Sequence, residues 1–316
     1  MLSVTMAALN ASQKEMNVTS NNLANASTVG FKRSYANFGD VFSNDPASNP
    51  KTAVGAGVLL TSVARDTTAG ALKATGRVTD MAIDGRGFFV TRDPAGTANT
   101  YSRAGNFSVD ADGYVVDPGG FRVMGFNALT GSDSAALKPV QIPPVIEVNS
   151  SAWDSTTSTA TKEAAIDDAI GDYDFSADTV TAFKSSSSLL DSSTGVDNKI
   201  ILQGISISPK GEVQATYSDN KTYTLRFLAV GSFPNDGGLK AIGNNRYSET
   251  GLSGSANLSI PGAPKAGNIM SGTLEQANVD ITNELMDMIR SQQVYNGNAR
   301  MLQTTIETVS RITDKI

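Results

Sequence analysis

Asp110-Ala-Asp112-Gly113 places two carboxylates one residue apart ahead of a glycine, the way a calcium loop begins. In such a loop alternate side chains face one cation. Here Tyr114 and Val115 follow, and no Glu stands where the bidentate ligand belongs. A hairpin turn meets the pattern better. Gly55-Ala-Gly57 and Gly85-Arg-Gly87 each supply two glycines of a dinucleotide fingerprint. Neither has the third glycine or opens a helix, so close turns between strands are expected again. Asp167, Asp168, Asp172 and Asp174 could gather weakly round a divalent ion, but such a run is the usual pattern of a solvated acidic face. The chain has no Cys and no His. That excludes disulfides, thiol nucleophiles, the Ser-His-Asp triad and imidazole or thiolate metal sites. Carboxylate or lysine catalysis is left open by composition. Even so, no paired carboxylates, phosphate loop or basic–aromatic patch is visible. The expectation is a protein that is not an enzyme and uses no cofactor or metal.

The elements that would position any such group come next. At 316 residues the chain can bury a sizeable core in two or three domains. Its net charge of −6 argues against nucleic acid or an anionic membrane as partner. The acid is concentrated. Between Glu147 and Asp197 stand ten acidic residues and two lysines, a local charge of −8, which leaves +2 for the rest. That segment reads as a solvated module. There is no run of about 18 apolar residues to insert in a membrane. Met1-Leu-Ser-Val-Thr-Met has neither a basic n-region nor a continuous apolar stretch, so no cleaved secretory signal is expected.

Both ends carry a heptad stripe. Leu2, Met6, Leu9, Gln13, Met16, Ser20 and Leu23 recur at alternating spacings of four and three. So do Ile281, Leu285, Met288, Gln292, Tyr295, Ala299, Leu302, Ile306, Val309, Thr313 and Ile316. Two amphipathic helices follow from this, paired in coiled-coil fashion within one molecule or between copies. Asn25 to Gly30 ends the first, and Asn278 or Asp280 caps the second. Glu284 sits where its charge suits the helix dipole. Gly297, in mid-helix, costs about 1 kcal/mol relative to Ala and implies close packing or pliability. Between the helices, residues 31–53 read as an extended arm docked by Phe31, Tyr35, Phe38 and Phe42. Residues 54–140 and 198–277 show short alternating strands punctuated by Asp84-Gly85, Asp112-Gly113 and Asp117-Pro-Gly-Gly120. Residues 141–197, with the only tryptophan, Trp153, form an insertion. The fold class is multidomain α+β: terminal helices at 1–30 and 278–316, a discontinuous antiparallel β-domain, and a small inserted domain.

Ser20-Asn-Asn-Leu-Ala-Asn-Ala-Ser-Thr-Val-Gly-Phe-Lys32 closely resembles the N-terminal signature of the bacterial flagellar axial proteins. Asn21, Asn22, Leu23, Ala24, Asn25, Gly30, Phe31 and Lys32 carry it. Met81-Ala-Ile-Asp-Gly-Arg-Gly-Phe-Phe-Val90, with Gly85, Gly87, Phe88 and Phe89, and Tyr101-Ser-Arg-Ala-Gly-Asn-Phe-Ser-Val-Asp110 look like that family's β-domain motif. Gly272-Thr-Leu-Glu-Gln-Ala-Asn-Val-Asp280, with Asn278, Val279 and Asp280, resembles its C-terminal signature. Within the family, Val54-Gly-Ala-Gly-Val58, Asp66-Thr-Thr-Ala-Gly-Ala-Leu72 and the inserted module look more like hook than distal rod subunits. The resemblance implies a structural subunit of a curved hook tube, acting as a universal joint between rod and filament. A straight distal rod is the alternative; a secreted adhesive or carbohydrate-binding β-protein is a more remote one. It implies that Leu2, Met6, Leu9, Met16, Leu23, Ile281, Leu285, Met288, Tyr295, Leu302, Ile306 and Val309 form the polymer interface. The implied partners are further copies of this chain, the rod, hook cap and hook–filament junction proteins, and the type III export apparatus. Export would proceed without a cleaved signal, and the terminal helices would order on assembly.

Overall fold

The computed structural model describes residues 2–41, 55, 57–96, 98–127, 137–147, 199–218 and 222–313. The chain forms two compact units, one of residues 1–71 and 276–316, the other of residues 72–275. Trp153 and the acidic cluster from Asp167 to Asp174 lie outside the described residues, as do Phe42 and Ile316.

The first unit joins both chain ends. Helix α1 (Leu2–Ala24) leads through a buried Gly30 into strand β1 (Ser34–Val41). That strand pairs antiparallel with β2 (Gly57–Arg65), from Ser34 opposite Arg65 to Val41 opposite Gly57, with a bulge at Asn37/Phe38. Of the segment expected as a ring-docked arm, Ser34–Val41 is therefore a strand paired with β2, and residues 42–53 lie outside the described residues. Tyr35 and Phe38 are exposed on the strand, so hydrogen bonds between strands, rather than docked rings, hold it. Helix α2 (Ile281–Thr313) is about 50 Å long at 1.5 Å per residue. Asp280 is its cap: Oδ1 accepts hydrogen bonds from Thr282 N at 2.9 Å and Asn283 N at 3.3 Å. Helix α1 packs against both α2 and the hairpin, so in a single copy the helices cover each other along one side. A Cβ built at Gly297 would meet nothing within 4 Å, so close packing within one copy is not what requires that glycine.

Apart from one 3-10 turn at Asp236–Gly238, the regular structure of the second unit is β among the described residues. In chain order its strands are β3 (Leu72–Ala74), β4 (Met81–Asp84), β5 (Phe88–Arg92), β6 (Asn99–Ser102), β7 (Ser108–Val109), β8 (Val115–Val116), β9 (Arg122–Asn127), β10 (Lys138–Pro139) and β11 (Val145–Glu147). They continue with β12 (Lys199–Ile207), β13 (Glu212–Tyr217), β14 (Thr222–Leu228), β15 (Val230–Ser232), β16 (Lys240–Gly243), β17 (Arg246–Ser248), β18 (Asn257–Ser259), β19 (Asn268–Ser271) and β20 (Thr273–Glu275). The main antiparallel sheet runs β11-β12-β13-β14-β9-β5-β6-β17-β16, and the pairs β4–β19 and β3–β20 stand beside it. Residues 141–147, placed by sequence in the insertion, belong to this unit. Ile142 is buried in its core, and Tyr217 Oη donates to Pro143 O at 3.0 Å. Period-two alternation feeds two cores. Phe89, Val123 and Tyr217 enter one, and Phe88, Val90 and Met124 the other.

The turn reading of Asp110 holds, and it is repeated seven residues on. Asp110 N donates to Tyr114 O at 2.9 Å, and Tyr114 N returns a bond to Asp110 Oδ1 at 2.7 Å. Asp117 N donates to Phe121 O at 2.9 Å, and Phe121 N returns one to Asp117 Oδ1 at 3.0 Å. Gly113 and Gly120 sit at φ 82° and 79°, the left-handed corner each loop needs. The Asp110 carboxylate is thus committed to its own backbone. An arginine lies over each aromatic: Arg122 over Tyr114 at 3.7 Å and Arg246 over Phe121 at 3.6 Å.

Gly105 is the tightest point of this unit. Its N–H/C=O region meets Met81, whose N donates to Gly105 O at 2.9 Å, and a Cβ on it would lie 1.6 Å from Met81 O. Gly105→Ala should therefore force two backbone segments apart and lower stability by about 3 kcal/mol or more. Denaturant unfolding of the variant checks this; an unchanged midpoint would show that the loop relaxes freely.

Candidate interaction surface

Seen from within the first unit, the inward side of each helix is the more polar one. On α1 the buried residues are Thr5, Ser12, Thr19 and Asn22, with Leu9, Met16 and Leu23 half-buried. On α2 they are Glu284 and Ser291, with Met288, Tyr295 and Leu302 half-buried. The expected stripe is therefore divided. Its alternate members Leu9, Met16, Leu23, Met288, Tyr295 and Leu302 lie along the side where buried positions fall. The others point away: Leu2 is 49 % exposed, Met6 46 %, Ile281 50 %, Leu285 39 %, Ile306 54 % and Val309 57 %. Gln13, Ser20 and Gln292 are exposed as well, and Ala299 is half-buried. From Ile306 to Thr313 every residue of α2 is exposed.

A saturated polar clasp sits at the base of the helix pair. Asn22 treats Ser34 as a strand would: its Nδ2 donates to Ser34 O at 2.7 Å, and its Oδ1 accepts from Ser34 N at 2.9 Å. The same Nδ2 donates to Glu284 Oε2 at 3.1 Å. Arg33 Nε donates to the other Glu284 oxygen, and its Nη2 reaches Asp287 Oδ2 at 3.4 Å. Asn22 and Glu284 are both buried to 1 % exposure. Sequence reasoning gave Glu284 a dipole role and a place in the C-terminal signature, but not a buried partner, and did not single out Arg33. A carboxylate in a first helical turn is ordinarily solvated, and nothing in the spacing marks this one as buried.

Asn278 is a second node. Its Oδ1 accepts from Arg33 N at 2.7 Å; its Nδ2 donates to Asp66 O at 3.0 Å and Thr68 O at 3.2 Å. Its own N–H reaches Phe31 O at 3.4 Å. Lys32, 2 % exposed, donates from Nζ to Thr68 O at 2.6 Å. The Thr68 N–H donating to the Asp66 carboxylate, helped by nearby Lys32 and Arg33, holds that carboxyl below its usual range against the opposing effect of burial. Of the remaining signature residues, Asn21 O accepts from Asn25 Nδ2 at 2.9 Å in the closing turn of α1. Ala24 ends the helix, and Val279 is half-buried beside the cap.

In the second unit the motif residues converge on Arg103, which sequence reading named only as part of a motif. Its Nη1 donates to Glu275 Oε2 at 3.1 Å and Ile83 O at 3.2 Å, and its Nη2 to Gly85 O at 2.7 Å. Gly85 and Gly87 flank the turn between β4 and β5, where a Cβ on Gly87 would lie 2.4 Å from Val230 Cγ1. These features hold three chain segments together. Among the described residues no cluster of three or more acidic side chains is arranged to hold a metal. No helix among the described residues is long and apolar enough to cross a membrane.

Comparison with known proteins places these segments. Residues 2–32 match the model described as flagella basal body rod protein. Residues 82–164 match the flagellar hook protein FlgE/F/G D1 domain, and residues 270–314 the flagellar basal body rod FlgEFG protein C-terminal model. The flagellar basal-body rod protein FlgG of Bacillus subtilis is 29 % identical, covering 95 % of this chain and 92 % of that protein. The flagellar hook protein FlgE of Salmonella typhimurium is 26 % identical, covering 94 % of this chain and 95 % of that one. Among solved structures, the Helicobacter pylori flagellar hook protein FlgE2 aligns with a TM-score of 0.39 at 14 % identity, over 65 % of this chain and 100 % of that one.

Proposed function

Since the chain belongs to the flagellar FlgE/F/G family of hook and rod structural subunits, we propose that it polymerises through its terminal helices and forms the hook. The observation that carries this is the apolar surface left open on both helices, above all the last two turns of α2, where Ile306, Val309 and Ile312 are 54–58 % exposed. A monomer gains nothing from such a surface, and covering it with further copies removes it from water. Neighbouring copies are accordingly the partner. Rod, cap and junction proteins, and a type III route of export, follow from membership in such a tube. The segments Val54–Val58 and Asp66–Leu72 and the inserted acidic module support a hook over a rod. A torque-transmitting joint must let its contacts slide, and the polar Gln13 and Gln292 on the open faces suit loose, repeated contacts.

The second reading is a distal rod subunit. It is favoured by size: the alignment with B. subtilis FlgG runs over 313 residues, against 390 for the S. typhimurium hook protein. Electron microscopy of concentrated protein separates the readings. Curved tubes support the hook, straight tubes the rod, and no tubes at any concentration would sink the assembly reading. Deleting residues 303–316 should abolish the tubes while the β unit keeps its near-UV circular dichroism. Tubes formed by the truncated chain would place the interface elsewhere.

A further inference from the structure

We propose that Asn296-Gly297 is a self-modification site: in a free copy it loses ammonia and turns into an aspartyl or isoaspartyl link, while assembly of α2 into a tube closes it. The site thus sorts chains by age, admitting fresh copies to the polymer and leaving modified ones outside. The protection by assembly rests on the polymerisation proposed above; the chemistry of the dipeptide does not.

That chemistry follows from the residue pair. Attack by a backbone nitrogen on the preceding carboxamide is crowded by any Cβ on the attacking residue, and glycine has none. Asn296-Gly297 is the one Asn-Gly pair in the chain; each other asparagine precedes a residue other than glycine. Gly297 N gives its proton to hydroxide and attacks Asn296 Cγ. The N–Cγ bond forms, the Cγ–Nδ2 bond breaks, and Nδ2 takes up a proton and leaves as ammonia. A five-membered succinimide remains, and water opens it at either carbonyl. Opening at Cγ gives an aspartate in a normal chain. Opening at the main-chain carbonyl gives an isoaspartyl link with one extra methylene in the backbone. No oxidant or reductant takes part.

A helix forbids that ring. α2 runs through the pair, so its ladder assigns the Gly297 N–H to the carbonyl of Gln293. A helical ψ at Asn296, about −42°, also keeps Gly297 N from reaching Cγ. Protection is therefore only as strong as the helix, and one copy gives this part of it little support. From Gln292 to Thr313 no residue is buried, and Asn296 and Gly297 are both exposed. Nothing outside its own turn lies within 4 Å of a Cβ built on Gly297. Val294, Thr304, Thr305, Thr308 and Val309 are weak helix formers, and Gly297 is weaker still. A helix of this length without tertiary packing is marginal in water, so this part of α2 opens in the free chain. Neighbouring copies that cover Ile306, Val309 and Ile312 hold it shut by mass action. An isoaspartyl link, once formed, displaces the ladder. Ala299, Leu302, Ile306 and Val309 then lose register with the stripe before the link, and the chain is unfit to join.

Trypsin frees the pair in the peptide Ser291–Arg300, and chromatography with mass spectrometry separates its three forms. The full chain is aged at mildly alkaline pH as dilute protein and, in parallel, as sedimented tubes. In dilute protein Asn296 should convert at least tenfold faster than any other asparagine, and faster as the pH rises. In tubes it should slow at least tenfold, and Gly297→Ala should slow the dilute reaction as much. When aged protein is concentrated, the sediment should hold the asparagine form and the supernatant the isoaspartyl form. The proposal is overturned by an unreactive Asn296 in dilute protein, by equal rates in dilute protein and tubes, or by equal isoaspartyl content in sediment and supernatant. If the natural chain never forms tubes, helix-inducing trifluoroethanol takes their place, with the synthetic peptide Ser291–Arg300 in the same solvent as reference. Slowing of at least tenfold in the chain alone keeps the helix-gated site and rejects only polymerisation; no slowing overturns the site as well.

Discussion

Glu275→Ala lowers the stability of the β unit by about 3–5 kcal/mol, and its melting temperature by roughly 10 °C. Arg103 and Glu275 are 5 % and 0 % exposed at the side chain, with Nη1 to Oε2 at 3.1 Å. The arginine keeps the carbonyls of Ile83 and Gly85 in the variant, but a buried cation loses its counter-charge. Carbonyl dipoles do not replace a carboxylate at this depth. Arg103→Met should also destabilise, since it strips donors from two backbone carbonyls. The double variant Arg103→Met/Glu275→Leu should fall short of the sum of the two by more than about 1 kcal/mol, because neither leaves the other charge stranded. Thermal unfolding of the three variants is the test. Additive losses would mean that the two side chains act independently and that the pair is a bystander.

Ile306→Asp/Val309→Asp has the opposite profile. Both residues are more than half exposed in the single chain, so its stability should move by no more than about 0.5 kcal/mol. Tubes should nevertheless fail to form, because two carboxylates would have to enter an interface that excludes water. Sedimentation after concentration, with the natural chain alongside, reads the difference. Normal tubes from this variant would remove the end of α2 from the interface. A large loss of monomer stability would show that these turns pack within one copy after all.

The two predictions mark how far the residue pattern reached. Strands and turns were legible because their signals are local: Asp112-Gly113 and Asp117-Pro-Gly-Gly120 end strands whether or not the rest of the fold is known. The helices were legible from spacing, yet the side facing inward within one chain was not. A heptad reports which residues share a face. It does not report which face finds its partner in the same molecule, and apolar content pointed to Met6 and Leu285, which the chain leaves outside. Asn22 stood out through resemblance alone, and Asn278 through resemblance and as a cap candidate. Their work lies in bonds to the backbone of Ser34, Arg33, Asp66 and Thr68, and such bonds join positions 12 to 245 residues apart. Arg103 and Glu275 stood in quoted motifs, but their pairing across 172 positions escaped notice for the same reason.

The nesting of one unit inside the other has a kinetic consequence. The helices that must meet are separated by about 250 residues, and closing a loop of that length costs roughly 5 kcal/mol of chain entropy before any contact repays it. The inner unit removes most of that penalty if it folds first, because β3 and β20 are its two extremities and pair with each other. Just beyond them, Gln276 N already donates to Ala71 O at 2.9 Å. The helix pair then zips from its clasp outward as though joined by a short turn. In that order of events a slow, high-contact-order sheet sets the pace, and the fast helical step waits on it.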